Sequence, residues 1–211
     1  MIHEIFPVGP LACNCSVIGD EQSREAMVVD PGDEIERVLD ILKRHRLDLK
    51  MIVVTHGHID HIGGAGKLHA ATSAPVMMNS EDNAQIKLLP LQAMWVGMHA
   101  PGALKIDQPL RDGDGLKIGA VTAGIMHTPG HTAGSVCLYL PAEKKLIAGD
   151  TLFAGSIGRT DLPGGSMEKL MRSLHQKVMH LPDETVVVPG HGPLTTIAEE
   201  RNSNPFLVSE A

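Results

Sequence analysis

Aromatic side chains are scarce in this chain, whose 211 residues include one Trp, one Tyr and three Phe. Val, Ile, Leu, Met and Ala must therefore supply most of the core. The apolar fraction of 43% and the charged fraction of 20% are ordinary for a globular protein. A chain of this length can form one domain with a substantial core, so we expect a single domain over residues 1–211.

An excess of basic residues is also missing, because Lys and Arg number 18 against 25 Asp and Glu, a formal net charge of −7. Nucleic-acid binders usually present a basic face, so no nucleic-acid partner is expected. No apolar run approaches the length of a membrane-spanning helix, and residues 1–6 alternate like a strand rather than a leader peptide. We therefore expect a cytoplasmic protein with no membrane partner.

Cysteine is limited to Cys13, Cys15 and Cys137, an odd number. Cys13 and Cys15 are too close in sequence for an ordinary structural disulfide. We expect all three to be reduced, small and buried. A reactive thiol at Cys137 is the alternative, although this residue lies within a predicted strand.

Short apolar runs alternate with helical patterns along the chain. Strands are predicted at residues 2–8, 15–19, 26–30, 51–55, 75–78, 116–126, 135–140, 145–149 and 185–188. Helices are predicted from Asp33, from about His61 to Ala71, from Met167 to Val178 and from about Thr196. Glu36 and Glu199 occupy the capping-box position of the first and last helices.

The strongest functional signal directly follows the predicted strand at residues 51–55. His56, His58, Asp60 and His61 place three imidazoles and one carboxylate within six residues. These groups would repel or lack partners without a cation, and the combination suits a divalent ion of borderline hardness. His56 and His58 can point to one side of an extended segment and chelate one ion, whereas Asp60 and His61 face a second position.

Three distant residues can complete such a site, and each lies beside glycine, which permits close backbone approach: His131, Asp150 and His191. Asp150 and His191 follow apolar runs, and open sheets place their chemistry beyond the carboxyl ends of strands. Asp30 also ends such a run, but a polar turn is a sufficient explanation for it alone. His127 is a possible support for a ligand. Six histidines are expected to be structural or solvated: His3, His45, His69, His99, His175 and His180.

Five histidines and two aspartates are about what two ions require if each keeps room for water. Two divalent ions bridged by hydroxide make a strong nucleophile, because metal binding lowers the pKa of water from about 15.7 to about 7. Asp150 is expected to lie between the ions, and Asp60 and Asp150 are the catalytic candidates. The lack of a Ser or Cys nucleophile motif agrees with such a water-driven reaction.

Together these residues resemble the metallo-β-lactamase superfamily, with its His-x-His-x-Asp-His motif. The resemblance extends over essentially the whole chain and includes residues 30–32, 55–64, 128–132, 149–153, 158–161 and 189–192. It implies an α/β (α+β) fold, a four-layer αββα sandwich. Within the superfamily the chain is similar to the glyoxalase II (hydroxyacylglutathione hydrolase) branch, and residues 200–206 resemble the ending of its short, single-domain bacterial members.

The resemblance also implies a cofactor and its ligands. It implies two divalent ions, with zinc expected and iron or manganese as alternatives. It assigns seven ligands as two sets of three and one bridging residue: His56, His58 and His131; Asp60, His61 and His191; and Asp150.

The chain departs from the glyoxalase II pattern on the substrate side. Two-domain members add a helical domain whose basic residues hold the glutathione carboxylates, and no such domain is expected here. Arg159 and Asp161 replace a lysine and a tyrosine, and the Gly192-Pro193 turn replaces a second tyrosine. Arg159 could bind a glycine carboxylate of the substrate bidentately, a charge-assisted interaction worth about 1.5–3 kcal/mol, or it could brace its own loop on Asp161 or Asp150.

The segment 89–98 contains the only Trp and allows three interpretations. A connector on the surface is preferred, and a substrate-facing wall or a dimer contact are the alternatives.

Two reaction classes can use this ligand set. The first is hydrolysis of a small-molecule thioester such as S-lactoylglutathione. The second is oxidation by a single non-haem iron at His56, His131 and Asp150, as in the persulfide dioxygenases that share the fold. The complete second set, which ends in His191, favours hydrolysis. Lactone or β-lactam hydrolysis is a further alternative. A purely structural zinc site is disfavoured, because such sites are closed and rich in Cys. We expect the protein to be a monomer or a homodimer.

Overall fold

The first half of the chain forms a six-stranded mixed sheet. The computed structural model describes residues 1–102 and 104–208. The strands of this sheet lie in chain order: β1 (Ile2–Val8), β2 (Cys13–Gly19), β3 (Glu25–Val29), β4 (Asp48–Val53), β5 (Val76–Met78) and β6 (Gln108–Pro109). The pairs β1–β2 and β2–β3 are antiparallel, and the strands from β3 to β6 are parallel.

The second half forms another six-stranded sheet and a small hairpin. Its strands are β7 (Gly115–Ile118), β8 (Val121–His127), β9 (Val136–Leu140), β10 (Lys145–Gly149), β11 (Leu152–Phe153), β12 (Ser156–Ile157), β13 (Val186–Pro189) and β14 (Thr195–Thr196). The sheet order is β14-β13-β10-β9-β8-β7, and β11 pairs with β12. Only β10 and β13 are parallel among the neighbours in this sheet.

Helices cover the outer faces of both sheets. They are α1 (Ile35–Arg44), α2 (Ile59–Ile62), α3 (Ala65–Thr72), α4 (Asn83–Val96), α5 (Met167–Gln176), α6 (Ile197–Ser203) and α7 (Pro205–Val208). Single 3-10 turns lie at Ser80–Asp82 and Val178–His180. No helix in the described part of the chain is both long enough and apolar enough to span a bilayer.

Alternation along the strands divides the apolar residues among three cores. Successive side chains of a strand point to opposite faces, so Met27 and Val29 pack between the sheets while Val28 packs with the residues of α1. A third core lies between the second sheet and α5, which contributes Leu170 and Leu174. The layers are therefore helix, sheet, sheet and helix, and the predicted αββα sandwich is confirmed.

The cap predicted for the last helix is confirmed, whereas the cap predicted for the first helix is wrong. Thr196 Oγ1 accepts a hydrogen bond from the backbone N–H of Glu199 at 3.1 Å. The helix expected from Asp33 instead begins at Ile35, after Glu34 in a left-handed conformation with φ 52° and no side-chain cap. The Asp33 carboxylate accepts a hydrogen bond from the backbone N–H of Glu34, which precedes the helix, and does not cap the helix itself.

Two of the predicted elements are each divided into two elements in the structure. The helix expected at residues 61–71 is interrupted between α2 and α3, because Gly63 and Gly64 pack against the turn that follows β3. A Cβ on Gly64 would lie 2.5 Å from the carbonyl oxygen of Pro31, and the Gly64 N–H donates to that oxygen at 2.9 Å. The strand expected at residues 116–126 is the hairpin β7–β8, which turns at Gly119 with φ 52°.

The packing between the sheets predicts the stability of one variant. Leu138 is fully buried in β9 and belongs to the core between the sheets, so Leu138→Ala should lower the free energy of unfolding by about 2–5 kcal/mol. The matched control is Leu194→Ala, at a side chain that is 49% exposed, with an expected change within about 0.5 kcal/mol. Urea unfolding measures both, and equal losses at the two positions would contradict this assignment of the core.

Candidate metal centre

The carboxyl ends of strands from both sheets meet at one edge of the sandwich. His56 and His58 follow β4, α2 carries Asp60 and His61, and His131 lies in the loop between β8 and β9. Asp150 follows β10, and His191 follows β13. All seven residues that the sequence predicts as ligands are therefore brought together at this edge.

Three imidazoles form the first group, which we call the histidine triad: His56, His58 and His131. His56 Nε2 lies 3.1 Å from His58 Nδ1, and His131 Nε2 lies 2.9 Å from the same atom. All three rings are largely buried. Three ring nitrogens thus face one another at distances that suit either shared protons or a common ion.

Hydrogen bonds on the far side of the rings fix the tautomers. The Thr55 hydroxyl donates to Asp30 at 2.7 Å, so at 3.1 Å it must accept from His56 Nδ1. His131 Nδ1 donates to the backbone carbonyl of Arg159 at 2.8 Å. In neutral rings this leaves both Nε2 atoms without a proton. A proton on His58 Nδ1 could satisfy only one of them, so lone pairs converge here as they do in metal sites.

The second group, the mixed triad, comprises Asp60, His61 and His191. His191 Nε2 lies 3.1 Å from Asp60 Oδ2 and 3.3 Å from His61 Nε2. Its Nδ1 donates to the backbone carbonyl of Leu11 at 2.9 Å, which again turns Nε2 toward the shared centre.

Asp150 lies between the two triads. Its Oδ2 is 3.5 Å from His131 Nε2, and its Oδ1 is 3.3 Å from His61 Nε2. Asp150 Oδ1 is buried and has no hydrogen-bond partner within residues 1–102 and 104–208. A buried carboxylate oxygen without a donor is costly, and a cation would compensate it. The arrangement fits two ions, one at each triad, with Asp150 in contact with both.

The protonation states also suit metal binding. Burial lowers the pKa of His56 and His131 and lowers the pKa of His58 to about 3, so the histidine triad is neutral at pH 7. Burial opposes ionisation of Asp60 and Asp150, but the surrounding imidazoles, His61 foremost, together outweigh burial and keep both pKa values below the ordinary range. Neutral imidazoles and ionised carboxylates are the forms that coordinate metals.

The mixed triad attracts positive charge in the structure as it stands. Burial opposes protonation of His61 and His191, yet the surrounding acidic groups outweigh burial and raise the pKa of both. An ion bound here would supply that positive charge in place of the protons.

Asp30 supports His61 and is more than a polar strand end. It is buried, and its Oδ2 accepts from His61 Nδ1 at 2.9 Å while its Oδ1 accepts from the Thr55 N–H at 2.7 Å. It thereby turns His61 Nε2 toward the centre, and carboxylates in this role raise the affinity of a histidine ligand. The available sequence signal was its position at the end of an apolar run, as for Asp150.

Asp82 was not predicted and holds the two halves of the histidine triad together. Its buried carboxylate accepts from the Gly57 N–H at 2.8 Å, the Thr132 hydroxyl at 2.7 Å and the Gly134 N–H at 2.6 Å. These donors flank His56 and His131 in sequence. No pattern around Asp82 indicated this function.

The other predicted residues are placed as follows. His127 makes no hydrogen bond to a residue of either triad. Its Nε2 lies 2.9 Å from the backbone carbonyl oxygen of Ala133, within hydrogen-bond distance. All three cysteines are free and buried, as predicted. Burial raises the pKa of Cys137, which argues against a reactive thiol there. Cys13 lies 3.5 Å from His61 Nδ1, but burial raises its pKa to about 12, so it remains a neutral thiol.

Arg159 braces its own loop through Asp161 and not through Asp150. Arg159 Nε and one terminal nitrogen donate to the two carboxylate oxygens of Asp161 at 2.8 and 2.7 Å. Its side chain is exposed and lies at the rim of the site. Whether Arg159 also binds substrate stays a prediction.

A cavity of about 430 Å³ opens above the triads and Asp150. One wall is formed by α4, with Leu88, Leu91 and Trp95. The preferred interpretation of residues 89–98 as a surface connector is therefore wrong for most of the segment, which forms the second half of α4 and faces the site. Pro90 lies within this helix and obscured its pattern in the sequence.

Residues 8–191 match the sequence model of the Metallo-beta-lactamase superfamily. An uncharacterised protein of Aquifex aeolicus (strain VF5) is 45% identical over 98% of this chain and 97% of its own length. Hydroxyacylglutathione hydrolase GloC of Haemophilus influenzae is 38% identical over 99% of both chains. The probable metallo-hydrolase YqgX of Bacillus subtilis (strain 168) is 36% identical over 96% of this chain and 95% of its own.

Solved structures with the same fold include three close matches. BLEG-1 B3 metallo-beta-lactamase has a TM-score of 0.91 and 38% identity, covering 98% of this chain and 100% of that one. TTHA1623, described in a di-iron-bound form, has a TM-score of 0.87 and 35% identity, covering 97% and 100%. ETHE1 from Myxococcus xanthus has a TM-score of 0.82 and 31% identity, covering 97% and 84%.

The two triads predict the metal stoichiometry. The purified protein should bind two divalent ions per chain, and His191→Ala should bind one, because it disrupts the mixed triad and leaves the histidine triad intact. His127→Ala is the matched control and should retain two. Elemental analysis after dialysis measures the ratio, and one ion per wild-type chain under saturating metal would contradict the arrangement.

The contact between Asp30 and His61 predicts a selective change in affinity. Asp30→Asn should weaken binding of one of the two ions by about 10–100-fold, because the amide cannot accept from His61 and Thr55 as the carboxylate does. Asp40→Asn, at an exposed position of α1, is the control and should bind both ions normally. Competition titration with a chelating dye measures each affinity, and unchanged affinities in Asp30→Asn would show that this contact has no effect on metal binding.

Proposed function

The chain belongs to the metallo-beta-lactamase superfamily, and from this we propose that it is a metal-dependent hydrolase that cleaves thioester bonds, similar in activity to glyoxalase II. The observation that carries the proposal is the convergence of bare imidazole nitrogens and a buried, unpartnered carboxylate oxygen of Asp150 at the floor of a substrate-sized cavity. The full-length similarity to GloC supports the thioester as the bond cleaved.

In this proposal the histidine triad would hold one ion and the mixed triad a second, and Asp150 could serve as a ligand to either. When bound, such ions lower the pKa of a coordinated water from about 15.7 to about 7 and polarise a carbonyl group. The ligand set contains imidazoles and carboxylates without a thiolate, which suits zinc and also iron or manganese. The di-iron form of TTHA1623 supports iron as an alternative to zinc.

The protein's own groups account for orientation and proton handling. Asp60 is ionised and faces the cavity, where its carboxylate can orient the attacking water and accept a hydrogen bond from it. Asp150 fixes the separation of the triads. Among the described residues that line the cavity, none is Ser, Thr or Cys, which agrees with water as the nucleophile of this proposal. Its addition to the thioester carbonyl and loss of the C–S bond give an acid and a thiol.

A second candidate is oxidation of a persulfide by dioxygen at a single iron, which His56, His131 and Asp150 would hold. The similarity to ETHE1 favours it, and these three residues do lie together. A single iron would leave the mixed triad without a function, although the distances between its ligand atoms are similar to those in the histidine triad. We therefore favour hydrolysis. The similarity to BLEG-1 makes lactams and lactones worth testing as alternative hydrolytic substrates.

Purified protein loaded with zinc or with iron distinguishes these reactions. We expect release of free thiol from S-lactoylglutathione or another small thioester, and no oxygen uptake with glutathione persulfide. Asp150→Asn should lower kcat/KM by about 100-fold or more, since it disturbs both proposed ions, whereas His127→Ala should retain normal activity. Oxygen uptake without thioester cleavage would establish the dioxygenase instead, and cleavage confined to lactones or lactams would establish the alternative hydrolase.

A further inference from the structure

The cavity above the triads has most of its polar groups at its floor. Its floor carries the predicted ligands, whereas its sides are mainly aliphatic and aromatic. On one side, Leu88, Leu91 and Trp95 of α4 form what we call the α4 wall. These positions are spaced three and four residues apart, so the side chains share one face of the helix. Leu11 and Leu162 contribute further apolar surface.

The apolar surface of this wall is open to solvent. Trp95 is 63% exposed and Leu91 is 40% exposed, and Leu11 is 46% exposed. Large apolar side chains grouped at a binding cavity mark a surface that a ligand covers.

The two glutamines in the cavity do not make the wall polar. Gln92 Oε1 accepts from the Ile59 N–H at 2.8 Å, and Gln92 Nε2 donates to Gln85 Oε1 at 3.2 Å. Gln85 Nε2 donates to the backbone carbonyl of Pro163 at 2.5 Å. Both side chains are thus buried and used within the protein. The bond to Ile59 also anchors α4 beside Asp60, so the wall keeps a fixed position relative to the floor.

The sides of the cavity carry little positive charge for an anionic substrate. Arg159 is the only Lys or Arg among its described lining residues, and both carboxylate oxygens of Asp161 already accept from its guanidinium. Glutathione thioesters carry two carboxylates and one ammonium group at neutral pH. A neutral apolar group would match the sides of this cavity better.

We propose that the preferred substrates are thioesters that carry a bulky, neutral apolar group next to the scissile bond, and that the α4 wall binds this group. The inference rests on the proposed thioester hydrolysis and specifies its substrate class. The apolar group can belong to the acyl part or to the thiol part, and both sources have the same chemistry.

Two substrate series show whether the apolar group belongs to the acyl part or to the thiol part of the substrate. One series varies the acyl group, from acetyl to hexanoyl and phenylacetyl, on the neutral thiol N-acetylcysteamine. The other keeps the acetyl group and varies the thiol from N-acetylcysteamine to benzyl thiol. We expect kcat/KM to rise at least 10-fold along one series and to exceed that for S-lactoylglutathione. A flat response in both series, or preference for S-lactoylglutathione over every neutral thioester, would overturn the proposal.

Variants of the α4 wall test which of its residues contact the apolar group of the substrate. Trp95→Ala and Leu91→Ala should each lower the ratio of kcat/KM for the largest over the smallest substrate by at least 10-fold, and Trp95→Phe should restore most of the ratio in the first case. The matched control is Met94→Ala, which removes a side chain that is 70% exposed on the same helix and does not line the cavity. An unchanged ratio in both alanine variants, or an equal loss in Met94→Ala, would contradict the assignment.

A binding measurement separates this inference from the reaction itself. Trp95 is the only Trp of the chain, so intrinsic fluorescence reports directly on the α4 wall. A neutral S-benzyl thioether of N-acetylcysteamine cannot be hydrolysed, and it should shift the Trp95 emission to shorter wavelength, whereas S-methylglutathione should not. If this shift occurs and no thioester is cleaved, the proposed reaction fails and the apolar site stands. If thioesters are cleaved and only the glutathione derivative shifts the emission, the proposed reaction stands and the apolar site fails.

Discussion

The arrangement of this molecule depends on holding seven imidazole and carboxylate groups in close contact at one edge of the sandwich. The chain orients the imidazoles from behind. It does so with acceptors on the opposite side of the rings: Asp30 for His61, Thr55 for His56, and backbone carbonyls of Leu11 and Arg159 for His191 and His131. Each acceptor receives a hydrogen bond from the Nδ1–H, and this turns Nε2 inward. These hydrogen bonds restrict the orientations of the rings, which reduces the cost of ordering them as ligands.

The fold brings the supporting groups together by very close backbone contacts. A Cβ on Gly190 would lie 2.0 Å from Asp150 Oδ1, and a Cβ on Gly158 would lie 1.9 Å from the Asp150 carbonyl oxygen. Glycine at both positions lets the segments after β12 and β13 approach Asp150, which follows β10. Asp82 then joins the loops from the two sheets through Gly57, Thr132 and Gly134. The two sheets consequently meet at this edge through hydrogen bonds as well as through the apolar core between them.

The sequence predicted the groups that converge better than the groups that support them. His56, His58, Asp60 and His61 are recognisable because they are crowded within one turn, and the distant residues are recognisable by their glycine neighbours. Asp30 and Asp82 act through contacts across 25 to 52 residues of sequence, and such contacts leave no local pattern. The division between α2 and α3 was missed for the same reason, since it depends on contact of Gly64 with Pro31. The helix α4 was missed because Pro90 interrupts its pattern.

The groups proposed for the reaction and those proposed for specificity lie on different elements, and this separation has a consequence for related proteins. The floor is formed by α2 and by loops that follow strands, whereas the α4 wall belongs to a helix that contacts α2 through the hydrogen bond from Ile59 to Gln92. Exchange of Leu88, Leu91 or Trp95 would change the shape of the cavity without changing the charge at its floor. Relatives can therefore keep one catalytic centre and differ in substrate. Two proteins that are each 38% identical to this chain agree with this, since one is a hydroxyacylglutathione hydrolase and the other is a B3 metallo-beta-lactamase.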